Sequence, residues 1–146
     1  MATPEQNAAT TRELIQRVLN EGDLGFAEEV LADSYVEGSP MPGGTADKAG
    51  AIAMFGMMRQ QTPDMRIEIE DVIASGSKVA VRSTLHGTDT NGFMQGMPPT
   101  GKPFSLGAID VFTFDDAGRN TEHYGVYDMM GAMGQLGLLP SPPDQG

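Results

Sequence analysis

Asp110 stands in the run Phe104-Ser105-Leu106-Gly107-Ala108-Ile109-Asp110-Val111-Phe112-Thr113-Phe114. The run reads as a strand, whose side chains alternate between two faces. Asp110 therefore shares a face with Phe104, Leu106, Ala108, Phe112 and Phe114. A carboxyl that merely needs water does not belong on such a face. Loss of solvation disfavours the charged form, so Asp110 is expected on a pocket wall with a raised pKa, as proton donor or shuttle. The alternative is a buried carboxyl held by a backbone or side-chain partner.

His123 lies across a predicted hairpin from this strand, and histidine is the usual proton carrier near neutral pH. His86 sits at a strand end beside Gly87 and reads as surface or loop packing. Two histidines this far apart, without helical or hairpin spacing to a carboxylate, give no metal-ligand pattern. No phosphate-cradling glycine loop is present either, so no metal or cofactor is expected. Glu37 and Tyr35 follow the second predicted helix. Glu37 could pair with Asp110 as one of two carboxyls with separated pKa values, or be a surface charge. Tyr35, Tyr124 and Tyr127 could donate hydrogen bonds to a substrate carbonyl.

These residues need a scaffold, and its elements are legible. Thr3-Pro4-Glu5-Gln6 opens a helix with a cap, an early proline and a glutamine three after the cap. Leu14, Ile15, Val18 and Leu19 continue it at helical spacing until Gly22. Asp23 caps a second helix through Leu31. Tyr35 to Glu37 reads as a brief strand, and Gly38 to Gly44 as loop. A third helix covers about Ala46 to Gln61, with Ile52, Phe55 and Met58 on one face. From Met65 the period becomes two, giving strands over Met65 to Glu70, Lys78 to His86, Phe104 to Phe114 and Arg119 to Tyr127. The Gly/Pro/Thr-rich stretch Thr88 to Lys102 keeps Phe93, Met94 and Met97, as a lid or binding loop would. A short helix follows through Leu136. Helices segregated from strands define an α+β fold, expected as a single domain over 1–146 with its core at about 5–137 and a flexible tail over 138–146.

Composition narrows the function classes. The chain has 146 residues, 39% of them hydrophobic, and a net charge of -11. Only nine Lys and Arg argue against nucleic acid and against an anionic membrane surface. There are no cysteines, so disulfides and thiolate chemistry are excluded. Nothing resembles a signal peptide or a membrane span, and a cytoplasmic location is expected. Eleven methionines in a chain without Trp suggest an adaptable apolar pocket.

Asn20-Glu21-Gly22-Asp23-Leu24 resembles the opening signature of the nuclear transport factor 2-like superfamily. Gly96-Met97-Pro98-Pro99-Thr100-Gly101-Lys102, Ile109-Asp110-Val111-Phe112, Glu122-His123-Tyr124 and Gln135-Leu136-Gly137 resemble the SnoaL-like polyketide cyclases within it. The order and spacing of these motifs span roughly residues 12 to 137. The resemblance implies a cone: a six-stranded, mostly antiparallel curved sheet wrapped with three N-terminal helices, usually a homodimer through the sheet. It implies a hydrophobic, polyketide-derived substrate, closed to a ring without cofactor. Asp110 matches a carboxylic acid of the ketosteroid isomerases, His123 a histidine of the cyclases, and Tyr35 a pocket tyrosine of theirs.

The chain also departs from its relatives. The acid/base aspartate of the aldol cyclases falls at Gly125, and Asp128 has the opposite parity. The isomerases' tyrosine falls near Ile15, and their base near Gly38 or Ser39. Asp110 and His123 are therefore the catalytic candidates. Tyr35, Glu37, Ile15, Phe55, Met58, Phe93, Met97, Ala108 and Tyr124 are the expected substrate contacts. The expected reaction is an aldol-type or pericyclic ring closure. Epoxide opening by an Asp110/Glu37 pair and simple binding of an apolar metabolite are the alternatives.

Overall fold

The period-two segments become a curved sheet. The structure, a computed structural model, describes residues 2–140. Strands β1 (Leu31–Glu37), β2 (Arg66–Ser75), β3 (Lys78–Thr88), β4 (Pro103–Phe114) and β5 (Asn120–Tyr127) lie in the order β1-β5-β4-β3-β2. All neighbours are antiparallel except β1, which runs parallel to β5. The sheet thus has five strands among the described residues, not six. β1 is longer than the expected Tyr35 to Glu37, because it begins directly where the second helix ends.

Helix α1 (Pro4–Glu13) starts at the capping box formed by Thr3 and Gln6. It continues without a break as wider π-helical turns over Leu14–Asn20. Such turns often occur beside functional sites; here they bury Leu14, Ile15 and Val18 against the sheet. Helices α2 (Leu24–Val30), α3 (Lys48–Gln61) and α4 (Met129–Gln135) are each capped by an aspartate, Asp23, Asp47 and Asp128 in turn. Each carboxylate accepts from a first-turn N–H that has no partner within the helix. Asp128 is a cap, which accounts for it without any role in catalysis.

The Asn20–Asp23 segment has a mechanical role. Asn20 Nδ2 donates to the Ile67 carbonyl and its Oδ1 accepts from the Ile67 N–H, at 3.1 and 2.7 Å. This amide clips the helix end to β2 as an extra strand would. Arg59 Nη1 donates to the carbonyls of Leu19 and Asn20, both at 2.8 Å, and ties α3 to the same point. Gly22, at φ +80, makes the left-handed turn that leads into α2.

The inner sheet face carries Val79, Val81, Phe112 and Phe114, packed on Val18, Phe26 and Phe55 from the helices. A second cluster, with Leu85, Phe104 and Leu106, is covered by Ala132 and Leu136 of α4. The long loop before β4 is organised by the buried Asp89, which accepts from the N–H groups of Phe93 and Thr100 and from the Thr100 hydroxyl. Phe93 stacks on Phe104 with ring centroids 4.5 Å apart. Of the expected flexible tail, Leu138 is tied back by its N–H to the Met133 carbonyl, and the part from 141 onward lies outside the described residues. No helix among the described residues is long and apolar enough to cross a membrane.

Candidate active site

Strand register assembles the site. On the β4–β5 ladder Asp110 faces Gly125, Phe112 faces His123, and Ala108 faces Tyr127. Residues of one parity share a face, so Asp110, His123 and Tyr127 all look toward the helices. β1 adds Glu37, which is the register partner of His123. A parallel strand thereby delivers a carboxylate from 86 residues away in the sequence.

The imidazole of His123 bridges two carboxylates. Its Nδ1 lies 2.8 and 3.0 Å from the two Glu37 oxygens, and its Nε2 lies 2.7 Å from Asp110 Oδ1. The Tyr35 hydroxyl donates to Glu37 Oε2 at 2.6 Å, and the Ser39 N–H donates to Glu37 Oε1 at 3.0 Å. On the far side the Tyr127 hydroxyl donates to Asp110 Oδ1 at 3.2 Å. The result is one chain of contacts: Tyr35, Glu37, His123, Asp110, Tyr127. Glu37 and His123 are buried, at 3% and 7% exposure.

Protonation follows from these contacts. Burial alone would pull His123 down, but hydrogen bonds to Asp110 and Glu37, with both negative charges, push it up to about 9. It is an imidazolium at neutral pH. Burial would raise Glu37, yet donation from His123 and Tyr35 outweighs that and holds its carboxyl below the usual range. Burial, reinforced by Glu37, raises Tyr35; Tyr127, which is 41% exposed, is raised by partial burial together with the Asp110 charge beside it, and both stay neutral donors. The two carboxylates take opposite ring nitrogens, so the three groups do not converge on one point. Among the described residues no set of three or more such side chains is placed to hold a metal.

An apolar cavity of about 80 Å³ adjoins this chain. Ile15, Tyr35, Phe55, Met58, Ala108, Asp110 and His123 all line it. Several other expected contacts do not. Glu37 lies behind the imidazole and not on this cavity's wall, because both its oxygens are occupied by His123, Tyr35 and Ser39. Neither the surface charge nor the direct carboxyl pair expected of it is what forms. Tyr124 has the opposite parity to His123 and is turned to the outer face, 53% exposed. Its ring lies over Gly38, where any Cβ would come within 2.2 Å of it. Phe93 is occupied with Phe104, and Met97 is exposed on the long loop, so neither reaches the cavity. His86 contacts Glu68 at 3.1 Å on the sheet surface. Nor is Asp110 the lone carboxyl on an apolar wall that its neighbours predict, since an imidazolium and a phenol both donate to it.

Tyr127 is the cavity residue whose place parity could have given, being four residues from His123 on the same strand face. Gly125 explains how it reaches Asp110. A Cβ there would lie 2.3 Å from the Tyr127 hydroxyl and 2.7 Å from Asp110 Oδ1. The missing side chain is the space in which those two groups meet.

An α+β shell around an apolar cavity, with the Glu37–His123–Asp110 chain at its wall, is the architecture of the nuclear transport factor 2-like superfamily. A family model, SnoaL-like polyketide cyclase, matches residues 9–136, and the chain belongs to that family. Among solved structures it is similar to TsrD from Streptomyces laurentii, with a TM-score of 0.84 and 25% identity over 95% of this chain and 100% of that one. It is similar also to IdmH from Streptomyces antibioticus, a proposed polyketide cyclase, with a TM-score of 0.75 and 28% identity over 93% and 99% of the two chains. AclR from Streptomyces galilaeus, a proposed hydroxylase, has a TM-score of 0.81 and 25% identity over 97% and 91%. No curated protein sequence matches the chain.

Proposed function

We propose that the protein is a cofactor-independent cyclase that closes a ring on a hydrophobic, polyketide-derived carbonyl chain by aldol chemistry, with Asp110 as base. The observation that carries this reading is the Glu37–His123–Asp110 chain ending on the wall of an apolar cavity. Both donors to Asp110 take Oδ1, and among the described residues none is bonded to Oδ2. Oδ2 removes a proton from a carbon next to a substrate carbonyl. The Tyr127 hydroxyl, whose single proton goes to Asp110 Oδ1 in the resting site, turns to the enolate oxygen as Asp110 becomes protonated and loses its charge. The enolate carbon attacks a second carbonyl of the same chain and a C–C bond forms. The new alkoxide takes back the proton held on Asp110, so the enzyme ends as it began. His123 keeps the carboxylate oriented, and Glu37 keeps the imidazole charged and fixed.

A pericyclic closure would use the same cavity, but it would leave this buried chain without a task. Epoxide opening by an Asp110/Glu37 pair needs both carboxyls at the substrate, and the imidazole stands between them.

The test uses 2-nonanone in deuterated buffer, with exchange at the carbons beside the carbonyl followed by NMR. Wild-type protein should accelerate exchange, and Asp110→Asn should lose about 10²–10⁴-fold, the usual contribution of a general base. No acceleration by the wild type, or equal rates in the variant, sinks the proposal. The same exchange should survive exhaustive chelation and dialysis, and restoration of a lost rate by added metal would contradict the cofactor-free reading.

A further inference from the structure

A second depression, a groove of about 420 Å³, opens between α3 and the loop that follows β1. Its walls are largely apolar: Met41 and Pro42 from the loop, and Ala53, Met54 and Met57 from α3. Met54 also lines the inner cavity, as does Met58 one turn further on. Spacings of three and four residues place neighbours on one helix surface. Met54 therefore faces both spaces, with Met57 on the groove side and Met58 on the cavity side. It is the residue common to the linings of both.

The inner cavity alone is too small for the ligand its walls suggest. Sites for drug-sized molecules occupy about 300–1,000 Å³, against about 80 Å³ here. The groove has room but no free acid–base group, since its carboxylate, Glu37, is already saturated. A third depression borders the cavity through Ser83, Ala108 and Tyr127, but Glu70, Arg82 and Asp128 line it and an apolar chain would desolvate them. Methionine is unbranched, with three rotatable bonds, and swings aside more readily than a branched or aromatic residue.

We propose that cavity and groove are two halves of one ligand site divided by the Met54 side chain. The carbonyl head sits at Asp110, His123 and Tyr127, and an aliphatic tail crosses Met54 into the methionine groove. This rests on the reading of the carboxylate chain as the reacting end. Chain length is then selected in the groove, apart from the chemistry.

The experiment is methyl-¹³C methionine NMR with straight 2-alkanones of four to nine carbons. 2-Butanone should shift Met54 and Met58 only, whereas 2-nonanone should also shift Met57 and Met41. Each methylene beyond the cavity should tighten binding by roughly three- to fourfold. Met57→Glu should abolish that gain yet leave 2-butanone binding intact, and Ala53→Trp, which fills the groove, should act alike. Affinity that is flat with chain length, or a long ketone that leaves Met57 and Met41 unmoved, overturns the two-part site. So do tail-dependent amide shifts at Gly107 and Ile109, which would send the tail through the charged depression. If 2-butanone fails to shift Met58 and Asp110→Asn exchanges deuterium as fast as wild type does, the reacting end is elsewhere and both readings fall.

Discussion

His123 is the residue on which the site turns, because its charge is held by two carboxylates that the fold brings from different strands. Its folded pKa of about 9 lies above the ordinary 6.5. The raised value means the folded state binds the proton more tightly than the unfolded chain. This stabilisation is fully present below pH 6.5 and is lost as pH rises through about 9. Glu37 is shifted the other way, so its contribution is present above its unfolded value of 4.5 and is lost as pH falls below it. Urea unfolding should therefore show a stability maximum between roughly pH 4.5 and 6.5 and a decline toward pH 9. Glu37→Gln removes one of the two charges that hold the imidazolium. The His123 titration, read by imidazole ¹⁵N shifts, should move down, and the alkaline decline should begin at lower pH. An unchanged titration in Glu37→Gln would mean that Asp110 alone sets the charge.

At the scale of the element, β5 does its work through what it omits. Gly125→Ala puts a methyl group where the Tyr127 hydroxyl and Asp110 Oδ1 already sit. The two groups must part, at a cost of about 1–3 kcal/mol typical of overpacking, and the exchange activity should fall with the lost donor. Gly107→Ala is the control, since nothing lies within 4 Å of its added Cβ and its stability should hardly change. Equal, small effects of both substitutions on activity would remove Tyr127 from the mechanism. The long strands of this sheet were readable because alternation is a local signal, and the face shared by Asp110 and Phe112 came with it. Parity also separates His123 and Tyr127 from Tyr124, and it puts Tyr124 on the outer face and not among the substrate contacts. The pairing of Glu37 with His123 was not readable. It depends on a parallel contact between segments 86 residues apart, and no local pattern encodes that. The π-helical turns were likewise hidden, since the spacing of Leu14, Ile15, Val18 and Leu19 suits an α-helix equally well.

Over the whole molecule, the outer face of the sheet is what the helices leave uncovered. Register aligns Ile73, Ala80, Val111 and Tyr124 in one row across four strands, and Asp71, Arg82, Ile109 and Val126 in the next. Ile73 and Val126 are 67% and 69% exposed, and Ile109 and Tyr124 about half. A contiguous apolar row on a sheet face marks an interaction surface rather than a chance scatter. We propose that a second copy of the chain covers it, and that the two sheets pack face to face. Each copy carries a net charge of -11, so association must overcome repulsion between like charges. Salt screens that repulsion over a distance of about 8 Å at physiological ionic strength and leaves apolar contact intact. Light scattering across micromolar concentrations should give a dimer that tightens with added sodium chloride. Val126→Glu should yield a folded monomer that still binds 2-butanone, since the residue faces away from the cavity. A monomeric wild type, or a dimer that salt dissociates, would contradict an apolar interface on this face.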